Sequence, residues 1–179
     1  DRVELYTEPY AAAYATGDVA SEDAVTAAVQ KTINTFGAIH VNINSAGIGA
    51  AHRVLGRKGP MPLANFEFVL RVNLVGTFNA LRICANEMQN NEPATEDGER
   101  GVIVNVASVA AFDGQIGQVA YSASKGGVAG MTLPLARDLS RQGIRVCTIA
   151  PGIFETPMMA GASKEVRNPL IDMIQFPRR

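Results

Sequence analysis

The sequence predicts an α/β fold built on a parallel sheet, on three observations. Short apolar runs alternate with longer segments of helical periodicity, which is the pattern of βαβ units. The 179 residues are 47% hydrophobic and 18% charged, a composition that suits one globular domain over 1–179, able to bury roughly 70% of its unfolded surface. The conspicuous polar residues all stand just behind an apolar run, where open parallel sheets bind ligands.

Taken in order, residues 12–16 read as a short strand ending at Gly17-Asp18-Val19. Ser21 then caps a helix that opens with Glu22 and Asp23, where carboxylates meet the positive helix end. Val25, Ala28, Val29, Thr32, Ile33 and Phe36 form its apolar stripe, and Gly37 stops it. Ile39 to Asn44 reads as a buried strand, followed by Ser45-Ala46-Gly47. Residues 50–62 carry Arg53, Arg57, Lys58, Gly59, Pro60 and Pro62 and read as a surface loop.

Leu63 to Met88 is expected to be one long helix, with Phe66, Val69, Leu70, Asn73, Leu74, Thr77, Phe78, Leu81 and Ile83 on its inner side. After a polar loop from Asn90 to Arg100, Val102–Ala107 forms the next strand and Ser108–Gln118 the turn behind it. A helix over 119–141 holds Gly126, Gly127, Ala129 and Gly130. Each helical glycine costs up to about 1 kcal/mol relative to alanine, so this run implies a close backbone approach, to a neighbouring helix or across a subunit interface. Ile144–Ile149 is a further strand, ending at Pro151-Gly152.

Composition narrows the function. A net charge of −1 offers no footprint for nucleic acid or anionic lipid. No uninterrupted apolar run approaches the ~20 residues of a membrane span. Cys84 and Cys147 sit in a helical and a strand-like pattern, which fits buried thiols in a reducing compartment rather than a disulfide framework. With His40 and His52 as the only histidines, neither a metal cluster nor a Ser-His-Asp triad is expected.

The segment SVAAFDGQIGQVAYSASK, Ser108 to Lys125, carries the chemistry. Tyr121 and Lys125 stand four residues apart, so on a helix the phenol and ammonium share a face. A free tyrosine, with a pKa of about 10, is a poor base; a cation within roughly 4–6 Å lowers such a group by about 1–3 units. Ser108, thirteen residues before the tyrosine, would hold a substrate oxygen beside the phenol. Such a proton-transfer device is worth roughly 10²–10⁴ in rate. By itself the pair reads as a half-buried tyrosine beside a snorkelling lysine, and it is the context that reverses this.

Other candidates are weaker alone. Asp18 would accept from an adenine amino group or serve only its own turn. The Asn44-Ser45-Ala46-Gly47 turn is small enough for a cofactor to lie against its backbone. Gly47-Ile48-Gly49 lacks the third glycine and the strand–helix context of a dinucleotide fingerprint. Asn73 interrupts an apolar helix face and marks either a local distortion with a bound water or an ordinary satisfied asparagine. Arg57 and Lys58 are either phosphate contacts or a solvated loop, and Met158 and Met159 read as apolar lining.

Taken together, Asp18-Val19, NSAG at 44–47, Asn73 in RVNLVGTFNA, Ser108, YSASK at 121–125 and PGIFETP at 151–157 resemble the classical short-chain dehydrogenases/reductases. The resemblance implies a Rossmann-type doubly wound parallel sheet, here without the first βαβ turn and the last strand and helix. It implies a catalytic tetrad of Asn73, Ser108, Tyr121 and Lys125. It also implies a nicotinamide cofactor, NAD with NADP left open, held by Asp18, Val19, Asn44, Ser45, Ala46, Gly47, Tyr121, Lys125, Pro151, Gly152, Phe154 and Thr156. GRKGPMPLANF, MQNNEP and IAPGIFETP are more narrowly similar to the type-2 3-hydroxyacyl-CoA dehydrogenases. That likeness implies an acyl-CoA or steroid-like alcohol or ketone as substrate, with Ser108, Gln115 and Gln118 near it. It also implies a homotetramer in the cytoplasm, or in the mitochondrial matrix of a eukaryote. A carrier-protein reductase, a hydroxysteroid dehydrogenase and a non-catalytic Rossmann-like scaffold are the alternatives.

Overall fold

The computed structural model describes residues 13–49, 51–154, 156, 164–172 and 174. In chain order the elements are α1 (Glu22–Phe36), β1 (Val41–Asn44), β2 (Leu55–Gly56), β3 (Gly59–Pro60), α2 (Leu63–Leu70), a π-helical turn (Arg71–Val75), α3 (Gly76–Met88), β4 (Gly101–Val106), α4 (Val119–Leu139), β5 (Ile144–Ile149) and α5 (Lys164–Asp172). Short 3₁₀ turns follow β4 at Val109–Ala111 and α4 at Ser140–Gln142. The first helix begins as its sequence requires: Ser21 accepts from the Ala24 N–H, and Glu22 and Asp23 occupy the first turn. Gly37 closes it, returning its N–H to the Ile33 carbonyl at 2.8 Å.

The main sheet has the order β1-β4-β5 and is parallel throughout. Asn44 pairs with Asn105, which in turn pairs with Thr148, so the three strands end level. Beneath the sheet, Val29 of α1, Leu81, Cys84, Ala85 and Met88 of α3, Ile103 of β4 and Ile144 and Val146 of β5 form one core, with Leu135 and Leu139 of α4 packed against it. The expected Rossmann-type parallel sheet is present. Burial, with Glu87 nearby, pushes the Cys84 thiol up to about 11, in keeping with a packing role. The stretch Leu63–Met88 is long and apolar enough to cross a membrane by length and composition alone, but it is the core helix of this fold and buries one side against the sheet.

Several expectations are corrected. Of the strand expected at 12–16, the described residues 13–16 are exposed and join no strand of the sheet among the described residues. Ile39–Asn44 is not buried on both faces. Val41 is 56% and Ile43 62% exposed, because on that face no described layer covers the edge strand. The expected loop at 50–62 contains the β2–β3 hairpin, turning at Arg57-Lys58. Phe78 is exposed rather than on the inner side, where it borders an open groove between α3 and α4. Cys147 is exposed, since it lies on the open face of β5. In α4 the glycines have the expected cause at one position: a Cβ on Gly127 would lie 2.8 Å from a Leu74 methyl, so α4 and the π turn approach through it.

Candidate active site

Asn73 sits at the centre of the π turn, where the Gly76 N–H reaches back five residues to the Arg71 carbonyl. Single π turns inside α-helices are frequent at functional sites. The side chain is fully buried. Its Oδ1 accepts from the Ile48 N–H at 2.8 Å, and its Nδ2 donates to the Ile48 carbonyl and to Ser124 Oγ, both at 3.0 Å. Thr77 Oγ1 donates to the Asn73 carbonyl at 2.8 Å. Asn73 therefore joins the loop after β1 to helix α4, which is the local distortion its sequence position suggested.

Tyr121 and Lys125 share a face of α4, with Lys125 Nζ 5.8 Å from the phenol ring centroid. The ammonium donates to the Val106 carbonyl at the end of β4, at 2.7 Å. Lys125 is only 5% exposed, and burial pushes its pKa below the ordinary lysine value. Two residues beyond that carbonyl, Ser108 caps the Val109–Ala111 turn, its Oγ accepting from the Ala110 N–H at 3.1 Å. Helix α4 packs on this turn, which brings the tyrosine's helix to the serine's loop. Gly47 closes the arrangement from the side of β1. A Cβ there would stand 3.3 Å from Asn73 Oδ1 and 3.5 Å from Lys125 Nζ.

A groove of about 420 Å³ lies between α1, β1 and α3, and Asp18, Val19, Asn44, Ser45 and Ala46 are among its walls. Asp18 is held by its own turn, Oδ1 accepting from the Ala20 N–H at 2.9 Å, and by an exposed ion pair with Arg71 at 2.7 Å. Val19 gives its carbonyl to Asn79 Nδ2 at 3.0 Å and rests its side chain on Gly76. The Asn44 side chain turns into the sheet, its Nδ2 donating to Asn42 Oδ1 at 2.8 Å and Asn105 Oδ1 at 2.9 Å. What Asn44 offers the groove is backbone.

The remaining candidates are less closely gathered. Pro151 accepts from the Val109 N–H at 3.0 Å, which ties the loop after β5 to the Ser108 turn. Gly152 borders open space, and Phe154 and Thr156 are exposed. Gln118 Oε1 accepts the Gln115 N–H at 2.8 Å while the Gln118 N–H returns to the Gln115 carbonyl, so much of that pair's bonding shapes the turn before α4. Met158 and Met159 lie outside the described residues. Sequence reasoning missed Ser124, which is fully buried and bonded to Asn73. The signal available was its place inside YSASK, a small hydroxyl three residues after Tyr121.

The chain is similar to known proteins over most of its length. The family profile described as short chain dehydrogenase matches residues 3–167. The chain is 54% identical over 164 residues to a 3-hydroxyacyl-CoA dehydrogenase type-2 of Drosophila melanogaster, an alignment covering 90% of this chain and 64% of that protein. It is 51% identical over 168 residues to the Homo sapiens protein of the same name, covering 93% and 64%. The crystal structure of 3-hydroxyacyl-CoA dehydrogenase type-2 from Mycobacterium avium superposes with a TM-score of 0.83 at 41% identity, covering 92% of this chain and 64% of that one. The chain thus spans about 64% of the length of these relatives.

Proposed function

Because the chain belongs to the short-chain dehydrogenase family, we propose that it interconverts a secondary alcohol and a ketone, with 3-hydroxyacyl-CoA and 3-oxoacyl-CoA as the pair. One observation carries the acid–base part. Lys125 is a buried cation, pressed against the Val106 carbonyl and under the Tyr121 ring, at a cost in desolvation that packing alone would not retain. The names of the relatives support the substrate class.

The residues present fit a nicotinamide dinucleotide. Asp18 presents an acceptor on the groove wall, Asn44, Ser45 and Ala46 line it after β1 beside apolar residues such as Val29 and Ile43, and the next residue, Gly47, brings bare backbone beside Lys125. In this reading Asp18, Val19, Ser45, Ala46, Gly47 and the Asn44 backbone hold the cofactor, with Pro151, Gly152, Phe154 and Thr156 on its far side. NAD is the form proposed. When bound, the cofactor supplies the hydride acceptor for oxidation and the hydride donor for reduction.

The chain's own residues handle the proton. In the oxidative direction the Tyr121 phenolate oxygen takes the substrate's hydroxyl proton, and in the reductive direction the phenol returns it to the carbonyl oxygen. Lys125, over the Tyr121 ring, orients the ribose. Ser108 accepts from Ala110, so its O–H is directed to the substrate oxygen, while Gln115 and Gln118 border the acyl chain. Asn73 ties the loop that carries Gly47 to the helix that carries the pair. Self-association as a homotetramer belongs to the same reading and is supported by the apolar groove between α3 and α4, where Phe78, Leu81, Leu135 and Leu139 meet.

The test is NADH oxidation by the protein with acetoacetyl-CoA, compared with a steroid ketone, a 3-oxoacyl carrier-protein substrate and NADPH. Turnover fastest with acetoacetyl-CoA and NADH is the expected result. Preference for another substrate would overturn the acyl-CoA assignment, and no turnover with any would leave a non-catalytic scaffold.

A further inference from the structure

Ser124 lies between the two residues of the acid–base pair in sequence and is fully buried. Its hydroxyl is used twice. It donates to the Tyr121 carbonyl at 2.7 Å and accepts from Asn73 Nδ2 at 3.0 Å. Asn73 spends the rest of its carboxamide on both backbone groups of Ile48. The chain of bonds therefore runs from the first turn of α4, through Ser124 and Asn73, to the loop that carries Gly47. That loop stands beside Lys125 Nζ at one residue's remove. A helix surface serine needs no such partners, and no other hydroxyl is bonded to both the π turn and α4 among the described residues.

We infer that Ser124 is a positioning residue for the reaction: its hydroxyl latches Asn73 and the Gly47–Ile48 backbone to the helix turn bearing Tyr121 and Lys125. Without it, one Asn73 N–H is buried without an acceptor, and the carboxamide and the Ile48 backbone it holds are no longer tied to α4. The π turn and the loop then lose their fixed relation to α4. Because effective positioning tolerates little error, a displacement of about 1 Å in such a site costs ~10²-fold in rate. The kinetic consequence rests on the function proposed above. The structural consequence does not.

The test has two arms on the same protein. In Ser124→Ala, hydrogen exchange of the Ile48 amide is expected to accelerate about tenfold or more while that of Ile103, in the central strand, is unchanged. In kinetics with acetoacetyl-CoA, kcat is expected to fall about tenfold or more with KM unchanged, and Ser124→Ala added to Asn73→Ala is expected to cost nothing further. If Ser124→Ala does not fold, Ser124→Cys removes most of the hydrogen bonding at nearly constant volume and is measured in its place. An Ile48 amide exchanging at the wild-type rate would overturn the latch itself. Multiplying effects of the two substitutions would overturn its action through Asn73. An inactive wild type with the expected exchange behaviour would instead count against the proposed function alone.

Discussion

A buried lysine is expensive, and Lys125 shows where the cost falls. Its ammonium is removed from water and given one carbonyl, that of Val106, in return. Folded, it holds its proton less tightly than the ordinary lysine value of 10.5. Between that depressed value and 10.5, the unfolded chain binds a proton that the folded chain does not. Its contribution to stability therefore rises with pH across the window and is least favourable below it. Substituting Lys125→Met removes this dependence. Melting temperatures of both proteins, followed from neutral to about pH 10, are expected to diverge in the wild type's favour as pH rises, and turnover of the variant is expected to be lost. A difference that stays flat with pH would contradict the account of Lys125 as a cation held in the fold at a cost.

At the scale of elements, local signals decided what was legible. The cap at Ser21, the acidic first turn and the stop at Gly37 all act within a few residues, so α1 was readable to its ends. Helix α4 and strand β5 were readable from their apolar patterns, although α4 has neither a side-chain cap nor an acidic first turn. The β2–β3 hairpin was not, because strands of two residues carry no alternation to detect. The π turn was legible only through Asn73, a polar residue on an apolar face, since it inserts a single residue into an otherwise continuous helical pattern. The hinge between α4 and β5 supplies a test. Gly143 has φ +71, and a Cβ there would stand 2.1 Å from the Gly98 carbonyl oxygen, while its own carbonyl accepts from the Arg100 N–H at 2.7 Å. Gly143→Ala therefore combines backbone strain with a clash against another backbone. A loss of about 1–3 kcal/mol, seen as a melting temperature lower by about 4 °C or more, is expected in thermal unfolding. An unchanged melting temperature would show that this loop pairing is not fixed as described.

The whole molecule explains why the candidate site was only partly readable. Tyr121, Lys125 and Ser108 were legible because one continuous segment carries them. Asn73 and the NSAG turn were legible as types, but their roles depend on tertiary placement. Only the fold shows that Asn44 spends its side chain on Asn42 and Asn105, or that Ser124 faces Asn73. Exposure was likewise invisible: Ile39–Asn44 is apolar enough for a buried strand, and Val41 and Ile43 are exposed because no described residues cover that face. What the parallel sheet achieves is to bring the ends of β1 and β4 to one side, where α4 and the π turn meet them. The central claim is that this meeting place is a proton-transfer site worked by Tyr121. Turnover of acetoacetyl-CoA by Tyr121→Phe, on protein whose melting temperature matches the wild type, tests it most directly. A loss of roughly 10²-fold or more is expected; turnover near the wild-type rate would contradict it.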